Sequence, residues 1–249
     1  MTKTVVITGA GVGLGRALAR RFARDGDKVV LLGRTLATLQ AVATELGGST
    51  QAIACDVASP DSVRAAFASI AETHPRIDVL INNAAVYEPF TVAEATDAQI
   101  VTPLMINLAG PIFCARSAIA MMEAGGHIIN VSSESVTVDW PMLTLYQASK
   151  AGLERMTETL GQELKPAGIR VTTIRAGQMH EEEKVSTWSP EAALRFGKAC
   201  MERGMNPRGR PMSHFNSVAD VFRMVVNTAP DVQLNTVVVE GRRAAGAAH

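Results

Sequence analysis

The chain is poor in aromatic residues and has no excess of charge of either sign. Only 4% of its 249 residues are aromatic, and its 24 lysines and arginines balance 24 aspartates and glutamates, for a formal net charge of zero. A neutral chain has no general electrostatic attraction for nucleic acid or an anionic membrane, and scarce aromatics argue against a platform that stacks bases. We therefore expect neither partner. There are only two tyrosines, Tyr87 and Tyr146, so each calls for an explanation.

Cysteine is also scarce, and long apolar stretches are missing. Cys55, Cys114 and Cys200 are odd in number, lie far apart and form no Cys-x-x-Cys pair. This spacing predicts neither a disulfide framework nor a metal site. The longest apolar stretch, 104–115, is too short for a membrane span, and too few residues precede the first apolar run for a signal peptide. We expect a soluble, cytoplasmic protein with reduced thiols.

Short apolar runs rich in β-branched residues alternate with helical patterns. The runs cover 5–7, 29–32, 53–55, 79–81, 127–131, 170–174 and 237–239. They are continuous rather than alternating, as in strands buried on both faces of a parallel sheet. Helical patterns cover 14–24, a stretch from Ser59 or Asp61 to 73, and 149–164. The sequence predicts an α/β fold over 1–249, a single-domain Rossmann-like, doubly wound parallel sheet of about seven strands with helices on both faces.

One long segment, 178–215, interrupts this alternation and has no strand pattern. Segments of this length between strands usually carry function, so we expect a substrate loop or lid there. Large apolar side chains would make it adaptable, although packing in the core is an equally good interpretation of them. They are Met179, Trp188, Phe196, Met201 and Met212. Glu134 and the acidic run 181–183 offer polar contacts to a substrate, with a solvated face as the alternative for the run.

Glycines cluster between the first predicted strand and the helix that follows it. Glycine permits a sharp turn and lets backbone amides approach a pyrophosphate, while the positive end of the helix favours its negative charge. A structural turn is the alternative, but the order of strand, loop and uninterrupted helix favours a phosphate site. The candidate cofactor-binding residues of this loop are Thr8, Gly9, Gly11, Val12, Gly13, Leu14 and Gly15.

The end of the second predicted strand indicates which dinucleotide is bound. An acidic residue there would accept hydrogen bonds from both hydroxyls of the adenosine ribose and repel a 2′-phosphate. This strand instead ends in Gly33-Arg34, and arginine offers a planar fork to a phosphate. The pattern predicts NADP(H) in preference to NAD(H), with a merely solvated arginine as the alternative.

A tyrosine and a lysine lie one helical turn apart. Tyr146-Gln147-Ala148-Ser149-Lys150 begins a predicted helix, which places Tyr146 and Lys150 on one face. A phenol is a poor acid or base near neutral pH, and a nearby cation lowers its pKa by stabilising the phenolate. Ser133 ends a strand 13 residues earlier, at the sheet edge where ligands bind. A cap or a turn is the alternative role for this serine.

These motifs, with Asn82-Asn83-Ala84-Ala85 after the fourth strand, resemble the short-chain dehydrogenase/reductase family over residues 3–175. The resemblance implies that Tyr146 protonates a carbonyl oxygen during reduction, while Lys150 holds the nicotinamide ribose and lowers the pKa of the tyrosine. It implies that Ser133 binds the substrate oxygen, with Ser132 and Ser135 as the alternatives, and that Asn107 keeps a water that relays protons to Lys150. Bridging of backbone within a helix is the plain alternative for Asn107.

The resemblance also implies further cofactor contacts. Asp56 would contact the adenine amine, although capping a helix is its alternative role, and Asn83 would line the adenosine ribose. The remaining implied cofactor-binding residues are Cys55, Val57, Ala84, Ala85, Ala176, Gly177 and Met179. Ala176 replaces the usual proline and no threonine follows, so the backbone around Met179 would hold the nicotinamide carboxamide. Arg242 follows the last strand where the family usually has Asp-Gly-Gly.

The sequence as a whole predicts an NADP(H)-dependent oxidoreductase. It would transfer a hydride between the nicotinamide and a small carbonyl or secondary-alcohol substrate, as a carbonyl reductase or alcohol dehydrogenase, with Tyr146 as general acid or base. A non-catalytic NADP-binding redox sensor or scaffold on the same fold is the alternative, because a fold does not by itself imply a function. The family resemblance further implies a homotetramer or homodimer.

Overall fold

A parallel sheet of seven strands lies at the centre of the computed structural model, which describes residues 2–180 and 188–242. The strand order is β3-β2-β1-β4-β5-β6-β9, and every pair is parallel. The strands are β1 (Thr4–Thr8), β2 (Lys28–Gly33), β3 (Thr50–Ala54), β4 (Val79–Asn82), β5 (His127–Ser133), β6 (Arg170–Ala176) and β9 (Thr236–Val239). This confirms the predicted doubly wound α/β sheet.

Helices cover both faces of the sheet. They are α1 (Gly13–Arg24), α2 (Leu36–Leu46), α3 (Pro60–Thr73), α4 (Asp97–Leu104), α5 (Gly110–Ile119), α6 (Thr144–Leu164), α7 (Pro190–Glu202) and α8 (Phe215–Val226). One core packs α1, α2 and α8 against the sheet, and the other packs α3, α5 and α6 against the opposite face. Val5 and Ile7 belong to the first core and Val6 to the second. Successive strand residues are therefore buried on opposite faces, which explains why the runs are continuous rather than alternating.

Local signals decide where two of the predicted helices begin. The Ser59 hydroxyl accepts a hydrogen bond from the Ser62 amide, so Ser59, and not Asp61, is the N-cap of α3. Helix α6 begins at Thr144, ahead of both predicted starts, Ser149 and Tyr146. Tyr146 therefore lies in the first turn of α6, at the edge of the sheet where β5 ends.

The helical stretch Asp97–Ile119 is long and apolar enough to cross a membrane by length and composition alone, with a mean hydropathy of 1.5. Core helices of globular proteins pass the same test. Here the stretch joins α4 to α5 through a π-helical turn, Met105–Ala109, and α5 contributes Cys114 and Ala118 to the core beside α3. In this fold the stretch forms part of a layer against the sheet.

The segment 178–215 is more regular than its sequence indicates. The expectation that it has no strand was wrong, since β7 (Met179–His180) pairs in parallel with β8 (Ser213–His214) in a separate two-stranded sheet. Between them, α7 has Ser189 as its N-cap and Pro190 in its first turn. Strands of two residues are too short to produce a periodic pattern. The acidic run 181–183 lies outside the described residues, as does 243–249.

Candidate active site

The glycine loop after β1 fits the close approach of an anion. Gly9 has a φ of +65°, and a Cβ on it would lie 2.9 Å from the Ala84 Cα. A Cβ on Gly15 would lie 2.1 Å from the Gly9 carbonyl oxygen, so only glycine fits there. Val12, at the N-cap of α1, makes no side-chain capping hydrogen bond, and the first turn has no acidic residue. The amides of this turn are therefore available to a phosphate.

Thr8 and Asn83 hold the loop against the end of β4. The Thr8 hydroxyl accepts hydrogen bonds from the amides of Asn83 and Ala84, both at 3.0 Å. The Asn83 side-chain amide donates to the carbonyl oxygens of Thr8 and Gly9, at 3.0 and 3.3 Å. Thr8, Asn83 and Gly15 thus shape the loop from behind, and the turn presents its other residues to the cleft.

A cavity of about 430 Å³ lies in front of the loop, within the usual size range of ligand sites. Most of the predicted cofactor residues line it: Gly9, Gly11, Val12, Gly13, Leu14, Gly33, Arg34, Cys55, Asp56, Val57, Asn83, Ala84 and Ala85. Sequence reasoning missed Thr35 and Thr38, two further lining hydroxyls. Their position directly after the Gly33-Arg34 strand end could have revealed them. The cradle and the uncapped helix start fit a dinucleotide.

Two charged side chains that line this cavity, Arg34 and Asp56, differ in sign and in their hydrogen bonds. Arg34 is exposed and, within the described part of the chain, forms no ion pair or hydrogen bond. Asp56 is the one acidic residue among the described lining residues. Its Oδ1 accepts a hydrogen bond from the Ala58 amide at 3.0 Å, which fixes the turn that leads into α3. Asp56 therefore fixes this turn while it lines the cavity, and its contact with the adenine amine stays a prediction, as does the binding of a phosphate by Arg34.

A second cavity, of about 340 Å³, contains the candidate catalytic side chains Ser133, Tyr146 and Lys150. The predicted Ala176, Gly177 and Met179 also line it. Leu14, Asn83, Ala85 and Tyr87 line both cavities, so the two form one continuous cleft. Sequence reasoning missed the lining residues Trp140 and Leu143, because no spacing marks a side chain that only the fold brings to the cleft, whereas Gln178 belongs to the predicted substrate loop.

Tyr146 and Lys150 have pKa values that depart from those expected. Burial raises the pKa of Tyr146 to about 12, aided by Tyr87 and the negative Glu134 and opposed by a hydrogen bond from Ser133. Burial lowers the pKa of Lys150 to about 8. Lys150 Nζ donates to the Val131 carbonyl oxygen at 2.7 Å and lies 5.9 Å from the centre of the Tyr146 ring. The expected lowering of the tyrosine pKa is thus not seen here, because burial is the largest influence on the pKa of Tyr146 and raises it.

Asn107 is fully buried in the π-helical turn, and its side chain is engaged away from Lys150. Its Oδ1 accepts from the Val86 amide at 2.8 Å, and its Nδ2 donates to the Val86 carbonyl at 2.8 Å and to Ser149 Oγ at 3.1 Å. Asn107 therefore fixes the segment after β4 against α6. Asn107 thus bridges two segments of the chain rather than backbone within a helix, and the relay of protons through a water stays a prediction.

Aromatic rings form a connected wall around the second cavity. In sequence along the wall, the ring centres are 5.2 Å apart for Tyr146–Tyr87, 5.3 Å for Tyr87–Trp188, 5.1 Å for Trp188–Phe196 and 6.0 Å for Phe196–Trp140. Trp188 Nε1 also donates to the Tyr87 carbonyl at 2.9 Å. Phe196 packs in a small core with Leu143 and Cys200 and also lines the cavity, and a role for these side chains in a substrate lid stays a prediction.

The predicted methionines of the lid divide into two groups. Met179 and Met212 line the second cavity. Met201, on α7, does not, and 66% of its surface is exposed. Met201 therefore neither lines the cavity nor packs in the core, because the helical phase of α7 turns this residue outward.

Comparisons with known proteins agree with this geometry. A family model described as short chain dehydrogenase matches residues 3–191. The D-xylose 1-dehydrogenase of Caulobacter vibrioides is 34% identical over 81% of this chain and 82% of that protein. The 3beta-hydroxysteroid dehydrogenase of Mediterraneibacter gnavus is 35% identical over 69% of this chain and 64% of that protein.

Solved structures give the same result. A dehydrogenase/reductase from Sinorhizobium meliloti 1021 is 27% identical, with a TM-score of 0.83 over 97% of this chain and 95% of the other. A metagenomic short-chain oxidoreductase in complex with NADP is 25% identical, with a TM-score of 0.77 over 97% of this chain and 98% of the other.

Proposed function

This chain belongs to the short chain dehydrogenase family, and from that premise we propose that it is an NADP(H)-dependent carbonyl reductase or alcohol dehydrogenase. The observation that carries the proposal is the continuity of the cleft, with Ser133, Tyr146 and Lys150 in the cavity next to the one formed by the glycine loop. A substrate carbonyl beside Ser133 and Tyr146 would therefore lie next to a dinucleotide bound at the loop.

The side chains of this cavity favour reduction of a carbonyl. NADP(H), when bound, supplies or accepts the hydride. With its pKa at about 12, Tyr146 holds a proton at neutral pH and can donate it to a carbonyl oxygen. The Ser133 hydroxyl can donate a hydrogen bond to the same oxygen, and the Lys150 cation favours the phenolate that remains. The relatives named for xylose and a hydroxysteroid support a carbonyl or secondary alcohol as the reacting group.

Arg34 supports the preference for NADP(H). It lies exposed at the end of β2 beside Thr35 and Thr38, within reach of the first cavity, and a guanidinium suits a phosphate better than a pair of hydroxyls. The binding of NADP by a structural neighbour points the same way. The three cysteines are buried and free, which supports the further proposal of a cytoplasmic location.

Removing one oxygen tests the catalytic role of Tyr146. The Tyr146→Phe variant should lose nearly all NADPH-dependent carbonyl reduction, by at least about 100-fold in kcat, as is typical when a general acid is removed. Its binding of NADPH, measured by fluorescence titration, should change little. A redox sensor or scaffold, the alternative function, would show no turnover across a panel of carbonyl compounds even in the wild type. Near-normal turnover by Tyr146→Phe would contradict the assignment.

Cofactor choice can be tested at the end of β2. Gly33→Asp combined with Arg34→Leu should move the preference from NADPH towards NADH, measured as the ratio of the two kcat/KM values. A Cβ at position 33 would lie 3.3 Å from Leu39 Cδ2, a flexible side-chain end that can shift. Arg155→Leu removes an exposed arginine far from the cleft on α6 and should leave the ratio unchanged. An unchanged ratio in the double variant would show that Arg34 is merely solvated.

A further inference from the structure

A buried carboxylate lies directly beside the catalytic serine. Glu134 follows Ser133 in the chain, is only 7% exposed and lines the second cavity. Its Oε2 accepts a hydrogen bond from Arg210 Nη2 at 2.7 Å. Arg210 comes from the segment before β8, 76 residues away, and its guanidinium lies 5.3 Å from the centre of the Trp140 ring. A buried charge is costly unless paired, so the ion pair fixes this carboxylate in place.

The second oxygen of the carboxylate is still open. Within the part of the chain that the structure describes, no group donates a hydrogen bond to Glu134 Oε1. This oxygen is not fully buried either. It is therefore accessible, and the cavity that Glu134 lines contains Ser133 and Tyr146. An open carboxylate oxygen accepts hydrogen bonds and donates none. The cavity thus offers an acceptor next to the place where the substrate oxygen would bind.

The walls of the cavity limit the class of ligand further. Tyr87, Trp140, Trp188 and Phe196 present aromatic surface. Such surface suits the C–H faces of a substrate, while the open carboxylate oxygen of Glu134 suits one hydroxyl. Arg210 already neutralises the carboxylate and Lys150 adds a positive charge, so the site does not attract a cation. These features together fit a neutral molecule that is apolar along its length and has a hydroxyl close to its reacting carbon.

We propose that Glu134 determines substrate specificity by accepting a hydrogen bond from a hydroxyl adjacent to the reacting carbonyl, with Arg210 as its positioning residue. The substrate class is then the α-hydroxy carbonyl compounds and the corresponding vicinal diols. This inference rests on the proposed reductase function, because it assumes that the carbonyl lies at Ser133 and Tyr146. A pocket built to bind a hydroxyl discriminates strongly against an analogue that lacks it.

A matched pair of ketones tests the proposal. 1-Hydroxy-2-hexanone and 3-heptanone differ only in a hydroxyl that replaces a methyl group beside the carbonyl. The wild type should show kcat/KM about 10- to 100-fold higher for the hydroxyketone, the range expected for a hydrogen bond to a charged group. Glu134→Met keeps the size of the side chain, removes its acceptors and should abolish that preference. Glu134→Gln keeps an amide oxygen and should give an intermediate ratio.

Arg210 should act only through Glu134. Arg210→Met should raise KM for 1-hydroxy-2-hexanone while leaving kcat and the constants for 3-heptanone unchanged, and Arg210→Lys should restore the preference. Glu94→Gln is the matched control, since it breaks the exposed ion pair between Glu94 and Arg195 of α7. Neither residue lines either cavity. It should leave the ratio of the two ketones unchanged.

Binding provides a readout that does not need turnover. Both tryptophans of the chain line the second cavity, so their fluorescence reports ligands there. In a Tyr146→Phe background with NADP⁺ present, the hydroxyketone should bind at least about 10-fold more tightly than 3-heptanone, and adding Glu134→Met should equalise the two. Equal binding by both ketones with Glu134 intact would overturn this inference even if both are reduced. Failure to reduce either ketone, with the binding preference intact, would count against the proposed function alone.

Discussion

Tyr146 and Lys150 show how burial shifts the proton affinities of an acid and a base in opposite directions. Removal from water disfavours the charged form of each group, so the pKa of the phenol rises to about 12 and that of the ammonium falls to about 8. At neutral pH both groups therefore keep their protons. In the proposed reaction this pair would give a proton to the substrate oxygen, and the ammonium is the member that titrates first as the pH rises.

The pH dependence of carbonyl reduction follows from this order. We expect kcat/KM to be level near neutral pH and to fall above about pH 8, because Lys150 then loses the charge that favours the Tyr146 phenolate. Tyr146 itself remains protonated throughout that range. The measurement is kcat/KM from pH 6 to 10 at saturating NADPH. Lys165→Arg, at an exposed position after α6, should leave the profile unchanged, and a wild-type profile that is level to pH 10 would contradict the assignment.

Two helices on one face of the sheet are joined by a buried ion pair. Arg223 of α8 donates to Asp27, which follows α1, with Nη1 2.6 Å from Oδ2. The Asp27 side chain is only 2% exposed, and its Oδ1 accepts from the Lys3 amide at 2.9 Å. Asp27 thus connects the start of β1, the end of α1 and α8. The glycine loop lies between β1 and α1, so the pair supports the cofactor site from a distance.

Arg223→Met should destabilise the fold by about 3–5 kcal/mol, because it leaves the Asp27 carboxylate buried without its cation. Chemical denaturation at neutral pH measures this loss. Adding Asp27→Asn should recover part of it, since the amide keeps the acceptor for Lys3 without a bare charge. Arg155→Met breaks an exposed ion pair with Glu158 and should cost no more than about 1 kcal/mol. A similar loss in the two single variants would show that burial of the pair is unimportant.

The strands and the glycine loop could be predicted from the sequence because each depends on local chemistry. Continuous β-branched runs require burial on both faces, and the glycines at 9 and 15 are required by contacts within a few ångströms of the turn. The order of motifs then placed Ser133, Tyr146 and Lys150 in one cleft. The two-residue strands β7 and β8 could not be predicted, because the pairing of Met179 with Ser213 joins distant parts of the chain.

The wall of the second cavity shows the same limit within the site. Trp140 and Arg210 carry no motif, and only the packing of α7 and the segment after it brings them to Glu134. The raised pKa of Tyr146 also could not be predicted from the sequence. The spacing of Tyr146 and Lys150 predicts that they lie on one face of the helix. The effect of burial and charge on the pKa of Tyr146 depends on the direction of Lys150 Nζ, which donates to the Val131 carbonyl oxygen. The sequence therefore predicts the candidate catalytic groups. Tertiary packing determines their pKa values and which substrate the cavity accepts.

At the scale of the whole molecule, the sheet ends in an open edge at β9. This strand pairs only with β6 in the described part of the chain, and Val238 on it is 52% exposed. An apolar edge strand without proline readily pairs with another chain. We propose that this edge joins subunits of a homodimer or homotetramer. The same strand contacts the site, because the Gly177 amide donates to the Val239 carbonyl at 2.8 Å.

Val238→Glu should therefore lower the molecular mass of the oligomer and also weaken substrate binding at the candidate active site. A charge on the edge strand disfavours pairing between chains, so light scattering coupled to size-exclusion chromatography should show a smaller species than for the wild type. Val92→Glu alters an equally exposed valine, 53% accessible, far from β9 along the chain, and should leave the mass unchanged.

Since Gly177 lines the second cavity and depends on β9, the dissociated variant should also show a raised KM for its carbonyl substrate. A wild type that is monomeric at micromolar concentration would refute the oligomer, and a Val238→Glu variant of unchanged mass would move the interface elsewhere on the surface.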